Sequence, residues 1–261
     1  MISFIRKGQG EPVILLHGIG GGARSFQHQV DGLSDQFDCV AWDAPGYGQS
    51  VQLPSTTFET LSASLAQLLD SLGLKSAHLV GHSLGGMIAQ DFVARYPTRV
   101  RSLVLSCTSP AFGRSDGDWQ KQFISARLDP IERGMTMEEN ARELLPSLMT
   151  NAKPEDVALA IACMAEVPIP TYRAVVHCLV TFDRRASLPT IAVPTLVLAS
   201  ENDRAAPAPV LEKMASKIPG ALYRCLPQSG HLVNLEDRQA FNAEVRGFIV
   251  GVLDIRNRDQ K

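Results

Sequence analysis

The sequence predicts an α/β fold, a mostly parallel twisted sheet flanked by helices and carrying one long helical insertion. Three observations lead there. Short apolar runs alternate with longer stretches of helical spacing, the order that a parallel sheet with crossover helices imposes. The runs are continuous rather than alternating, as strands buried on both faces are. Between residues 111 and 189 that rhythm stops, and the stretch turns rich in charge and Met without a convincing strand.

In chain order the strand runs fall at 13–16, 39–42, 78–81, 102–106, 195–199 and 222–226. After the second run, Phe58, Leu61, Leu65, Leu68, Leu69 and Leu72 recur at helical spacing, and Gly73 follows as a C-cap. Near the end, Phe241, Val245, Phe248, Ile249 and Val252 make an apolar stripe suited to a final helix against the sheet. Within the insertion, Thr136-Met137-Glu138-Glu139 has the capping-box pattern, and Pro154-Glu155-Asp156 reads as a helix first turn. Residues 1–110 and 190–261 are expected to form the core. Residues 111–189 are expected to form a helical lid over the C-terminal edge of the sheet.

The totals narrow the function. A chain of 261 residues with 45% apolar and 20% charged residues can bury a large core. A net charge of −2 with no Lys/Arg block gives no electrostatic support to nucleic-acid or membrane-surface binding. The cysteines are 5 in number, scattered, and never in a C-x-x-C pair, which argues against a disulfide framework or a thiolate metal site. No His pair has ligand spacing, so no metal is expected. No apolar stretch approaches the ~18 residues of a membrane span, and the N-terminus lacks an apolar signal region. A cytoplasmic enzyme acting on a small molecule is expected, with a homo-oligomer left open.

The chemistry is concentrated in Gly81-His82-Ser83-Leu84-Gly85. This G-x-S-x-G follows an apolar run and precedes a helical pattern, the strand–turn–helix setting of a nucleophile elbow. A serine hydroxyl is a poor nucleophile unless a base takes its proton and a third group orients that base. Asp203 lies just beyond the 195–199 run, and His231 follows the 222–226 run. Both stand at strand ends, where an open α/β sheet displays functional groups. Glu201 is the rival acid. Donors for a developing oxyanion are expected from the Leu84 N–H and from the loop His17-Gly18-Ile19-Gly20-Gly21-Gly22, with Ile19 first and Gly20 second. That loop has neither the Lys-Ser/Thr of a P-loop nor a dinucleotide fingerprint. His17 is expected to tie the loop down, and His28 and His177 have no partner signature.

Taken together, His17-Gly18, the 43–50 stretch, the elbow, Asn202-Asp203 and Gly230-His231 resemble the α/β-hydrolase family. The resemblance implies an eight-stranded, mostly parallel sheet, a cofactor-free hydrolytic mechanism, and a helical cap shaping the pocket. The ending His231-Leu232-Val233-Asn234-Leu235-Glu236 looks like that of 3-oxoadipate enol-lactonases, which implies an ester or lactone substrate. Meta-cleavage-product C–C hydrolases share the style of the 43–50 loop but usually carry Trp where this chain has Leu232. Epoxide hydrolases and haloalkane dehalogenases place Asp at the position of Ser83. The N-terminus leaves room for one strand, 2–6, where the family usually has a hairpin. Arg114, Arg127 and Arg133, with Trp119 among them, are candidates to contact the substrate, since an inward guanidinium would suit a carboxylate.

Overall fold

A computed structural model describes residues 1–113 and 117–259. Its centre is a 7-stranded sheet in the order β1-β3-β2-β4-β5-β6-β7. The strands are β1 (Phe4–Lys7), β2 (Glu11–Leu16), β3 (Phe37–Trp42), β4 (Ala77–His82), β5 (Val100–Ser106), β6 (Thr195–Ser200) and β7 (Leu222–Leu226). β1 runs antiparallel to β3, and every other pairing is parallel. The implied count of eight is therefore corrected to 7 among the described residues, with the single strand β1 pairing antiparallel at the edge beside β3.

β2, β3, β4 and β6 are buried along almost their whole length. Their side chains enter two apolar layers, one on each face, as a sheet covered by helices on both sides requires. β7 departs from the expected pattern. It is the sheet edge, and only Leu226 at its end is fully buried, so Cys225 is exposed while Cys39, Cys107, Cys163 and Cys178 are buried.

On one face pack α2 (Phe58–Ser71), α3 (Leu84–Arg95) and α8 (Ala208–Ala215). α2 is capped by Thr57 and Thr60 in a reciprocal capping box, and Gly73 follows at φ 69°. The other face is covered by α1 (Gln27–Leu33) and by α10 (Arg238–Asp259), which presents Phe241, Val245, Ile249 and Val252 as the predicted stripe. Among the described residues no single helix is long and apolar enough to cross a membrane.

Between β5 and β6 the chain forms α4 (Asp118–Glu132), α5 (Met137–Leu144), α6 (Pro154–Ala165) and α7 (Ile169–Leu179). Thr136 and Glu139 form the expected capping box of α5, and Pro154 opens α6. The insertion is bound to the core by polar contacts at two places. Behind α7, Arg184 donates to the fully buried carboxylate of Asp91 (Nε to Oδ1, 2.9 Å), which also accepts from Arg95 Nε (2.7 Å) and Ser62 Oγ (2.6 Å). At the start of α6, the buried Asp156 meets His28 Nε2 (3.1 Å) and Arg238 Nη1 (3.3 Å). His28 thus has a partner that its local sequence did not announce.

Candidate active site

Ser83 stands between β4 and α3 with φ 52° and ψ −116°. An L-residue held there stores on the order of 1–3 kcal/mol of strain. The turn closes because its neighbours have no side chain. A Cβ on Gly81 would collide with the backbone of Gly85, and one on Gly85 with the carbonyl of Leu16. Ser83 N–H donates to Ser106 O (2.9 Å), and Thr108 Oγ1 donates to Ser83 O (2.8 Å). The hydroxyl is thereby presented at the C-terminal end of the central strand.

His231 arrives from the loop after β7 and Asp203 from the loop after β6. His231 Nε2 lies 3.0 Å from Ser83 Oγ, and its Nδ1 lies 2.8 Å from Asp203 Oδ2. Asp203 is buried, and its other oxygen accepts the N–H groups of Ala205 (2.8 Å) and Ala206 (2.9 Å). Burial pushes its carboxyl up, but the His231 ring and the two backbone donors pull harder, leaving it below the ordinary carboxylate range. An ionised Asp203 holds the proton on Nδ1 and turns the lone pair of Nε2 toward the hydroxyl. Glu201 is exposed and, among the described residues, accepts only the N–H of Gln228 (2.9 Å), whereas the ring pairs with Asp203.

The histidine loop is wired to the insertion through its backbone. His231 N–H donates to Leu148 O (2.7 Å). Glu236, at the end of α9 (Val233–Glu236), accepts from Gly230 N (3.0 Å), Leu232 N (3.1 Å), Thr150 N (2.7 Å) and Asn151 N (3.2 Å). One carboxylate therefore clamps both flanks of His231 and the connection after α5. Sequence reasoning passed over Glu236, although its place five residues past a candidate histidine was a usable signal.

The glycine loop is set by His17. The Ala44 N–H donates to His17 Nε2 (3.0 Å), so Nδ1–H donates to Gly18 O (2.8 Å). Tyr47 Oη donates to Ile19 O (2.7 Å). With these carbonyls engaged, the Ile19 N–H has no acceptor among the described residues. Leu84 is the first residue of α3, ahead of the intrahelical ladder. Ile19 and Gly20 line the cavity above Ser83, and the Gly20 backbone lies against Met164 of α6.

That cavity measures about 440 Å³ and lies between the strand ends and the insertion. Ser83, His231, Trp119 and Arg127 line it. Trp119 is 54% exposed and packs on Phe112 at 4.7 Å between ring centroids. The expectation for Arg133 is corrected. It follows the last turn of α4, its side chain is 78% exposed, and it pairs with Asp129 across 3.8 Å. Arg114 lies outside the described residues. Tyr172 and Arg204 also line the cavity and went unnoticed in the sequence. Tyr172 had a signal, because it shares the apolar stripe Tyr172, Val175, Val176, Leu179 of α7.

His82, inside the elbow, sits 5.1 Å from the His231 ring, and burial with the neighbouring histidine pushes its pKa down to about 3. Cys107, Asp203 and His231 have donor atoms within 4.8 Å of one another. As a metal set they fit poorly: His231 Nδ1 and Asp203 are committed to each other, and burial raises the Cys107 thiol well above its ordinary value.

Comparison with known proteins supplies the family. A thermophilic esterase from Thermogutta terrifontis, solved with malate bound, superposes with a TM-score of 0.87 at 27% identity, over 96% of this chain and 93% of that one. The enol-lactonase from Burkholderia xenovorans LB400 superposes with a TM-score of 0.85 at 25% identity, over 95% and 96%. A bromoperoxidase from Bacillus anthracis reaches a TM-score of 0.87 over 95% of each chain, at 20% identity, a likeness of fold alone. The model of the alpha/beta hydrolase fold matches residues 11–238. With its elbow, its sheet order and that match, the chain belongs to the α/β-hydrolase family.

Proposed function

We propose that this hydrolase cleaves a carboxylic ester or lactone, such as an enol-lactone of a small carboxylic acid, with Ser83 as nucleophile, His231 as base and Asp203 as its orienting partner. The observation that carries the reading is the continuous relay from Asp203 Oδ2 to His231 Nδ1 (2.8 Å) and from His231 Nε2 to Ser83 Oγ (3.0 Å). Ser83 Oγ attacks the carbonyl carbon as Nε2 takes its proton. The tetrahedral oxyanion is received by the N–H groups of Ile19 and Leu84, each worth about 3 kcal/mol in such sites. Nε2 then hands the proton to the departing alkoxide, leaving an ester on Ser83. Water, deprotonated by His231, attacks that ester and releases the acid. In a lactone both products stay on one molecule.

A fluorophosphonate probe tests the nucleophile. Covalent labelling of Ser83 in the parent and none in a folded Ser83→Ala protein is expected. Turnover of aryl esters and enol-lactones should fall by about 10⁴-fold or more in that variant. Parent-like turnover in a folded Ser83→Ala protein would sink the mechanism. A preference for vinylogous diketones over all esters and lactones would move the reaction to C–C cleavage.

A further inference from the structure

We propose that the cavity carries an anion-binding pole, formed by Arg127 and Tyr172, and that the substrate bears a carboxylate on its acyl half. The substrate class rests on the hydrolase reading above; the pole itself rests on its own observations.

Arg127 lies in α4 with its guanidinium over the Phe123 ring, 5.1 Å from the centroid. Burial draws its pKa below the ordinary arginine value. Among the described residues no carboxylate or other acceptor meets it. The neighbouring cations are different: Lys121 faces Asp118, Arg133 faces Asp129, and Arg173 of α7 binds Glu132. A partly desolvated cation without a partner carries a cost, so the site favours an incoming anion.

Tyr172 is the second, independent observation. It is fully buried and lines the cavity, and its hydroxyl has no hydrogen-bond partner among the described residues. It lies within the electrostatic reach of Arg127, and the side-chain NH₂ of Asn140 in α5 lies beside its oxygen, which leaves the phenol O–H as the donor without an acceptor. A guanidinium and a phenol O–H are both donors, and an unmet buried donor calls for an acceptor. The charged groups lining the cavity are Arg127 and Arg204, with no Asp or Glu among the described lining residues. One partly buried guanidinium matches a planar monoanion, a carboxylate, by bidentate contact. A phosphoryl dianion would ask for more charge than this pole holds. Apolar residues such as Phe112, Leu145 and Leu179 fill the rest of the wall, suiting the methylene chain between carboxylate and scissile carbonyl.

The test compares p-nitrophenyl half-esters of glutaric and adipic acid with their methyl-capped counterparts, after subtracting unaided hydrolysis. The parent is expected to favour the free acid in kcat/KM. Arg127→Met should shrink that preference by about 10- to 100-fold through KM, the range for losing a charge-assisted contact. Tyr172→Phe should shrink it by about 3- to 10-fold. Arg133→Met, a change at an exposed, paired arginine, should leave it as in the parent. A parent that favours the capped ester, or an unchanged preference in Arg127→Met, overturns the pole. If fluorophosphonate leaves Ser83 unlabelled and no ester turns over, the hydrolase reading fails instead. Calorimetry of glutarate with the Ser83→Ala protein then decides the pole alone. Binding that weakens about tenfold or more when Arg127→Met is added upholds it, and equal or absent binding overturns it.

Discussion

The sheet core and the helical insertion solve the same problem, holding a polar side chain at the cavity, by different physics. In the core, Ser83 is fixed by backbone sterics. Its φ of 52° is enforced by close approaches that only Gly81 and Gly85 permit, and by strands buried on both faces. In the insertion, Arg127 lies within α4 and Arg133 just past its end, six positions apart, and one lines the cavity while the other is 78% exposed. Position on the helix separates them: Gln120, Phe123, Ile124, Arg127, Leu128 and Ile131 share the side turned to the protein, and Arg133 is the C-cap residue beyond it. Core positions are dictated locally, whereas insertion positions depend on what they pack against.

The comparison can be broken hardest at the relay. Asp203→Asn should lower kcat about 10³- to 10⁴-fold, because the amide no longer holds the proton on Nδ1. Glu201→Gln, at an exposed side chain, should change steady-state kinetics less than twofold. The reverse order would mean the acid has been misassigned.

Next in size is the tie between the regions at Asp91. Its carboxylate is fully buried and receives Arg95, Arg184 and Ser62. Asp91→Ala should cost about 3 kcal/mol in urea unfolding, since it strands partly buried guanidiniums without their acceptor. A loss under 1 kcal/mol would mean that the insertion holds to the core by apolar packing alone.

Glu236→Ala should cost about 1–3 kcal/mol by leaving backbone donors unmet. It should also lower kcat more than it raises KM, because the donors flank His231. An unaltered kcat would reduce Glu236 to a structural staple.

The smallest effect is in pH. Burial holds His78 neutral down to about 4, and burial with the nearby His231 holds His82 neutral down to about 3, against 6.5 for a free histidine. As pH falls below about 6.5 the unfolded chain takes up protons that these folded-state rings refuse. Their contribution is therefore complete above pH 6.5 and is lost progressively toward pH 4. Each such ring contributes a slope of about 1.4 kcal/mol per pH unit in that window. Chemical denaturation from pH 7 to 4.5 should show the decline, and His78→Gln should flatten it by about one proton. An unchanged slope would mean that His78 is not held neutral.

Much of this was legible in the sequence for a common reason. The strand runs at 13–16, 39–42 and 195–199 fall inside β2, β3 and β6 because strands covered on both faces admit little but apolar side chains. The elbow was legible because its backbone tolerates only glycine at 81 and 85. Asp203 and His231 followed from strand ends, where the chain emerges from the sheet. β7 was read as buried because its run looks like the others, but its burial depends on being an edge, which local pattern does not encode.

By itself, then, the sequence determined the order of strands and helices, the strained serine turn, and the acid and histidine that reach it. Each of these depends on backbone conformation or on burial at a fixed position. Only the tertiary structure decided the sheet's strand count, the clamp of Glu236 around His231, and the placing of both Arg127 and Tyr172 in the lining of one cavity. Those choices join residues far apart in the chain, and a buried donor can be recognised as unmet only once every group around it has been placed.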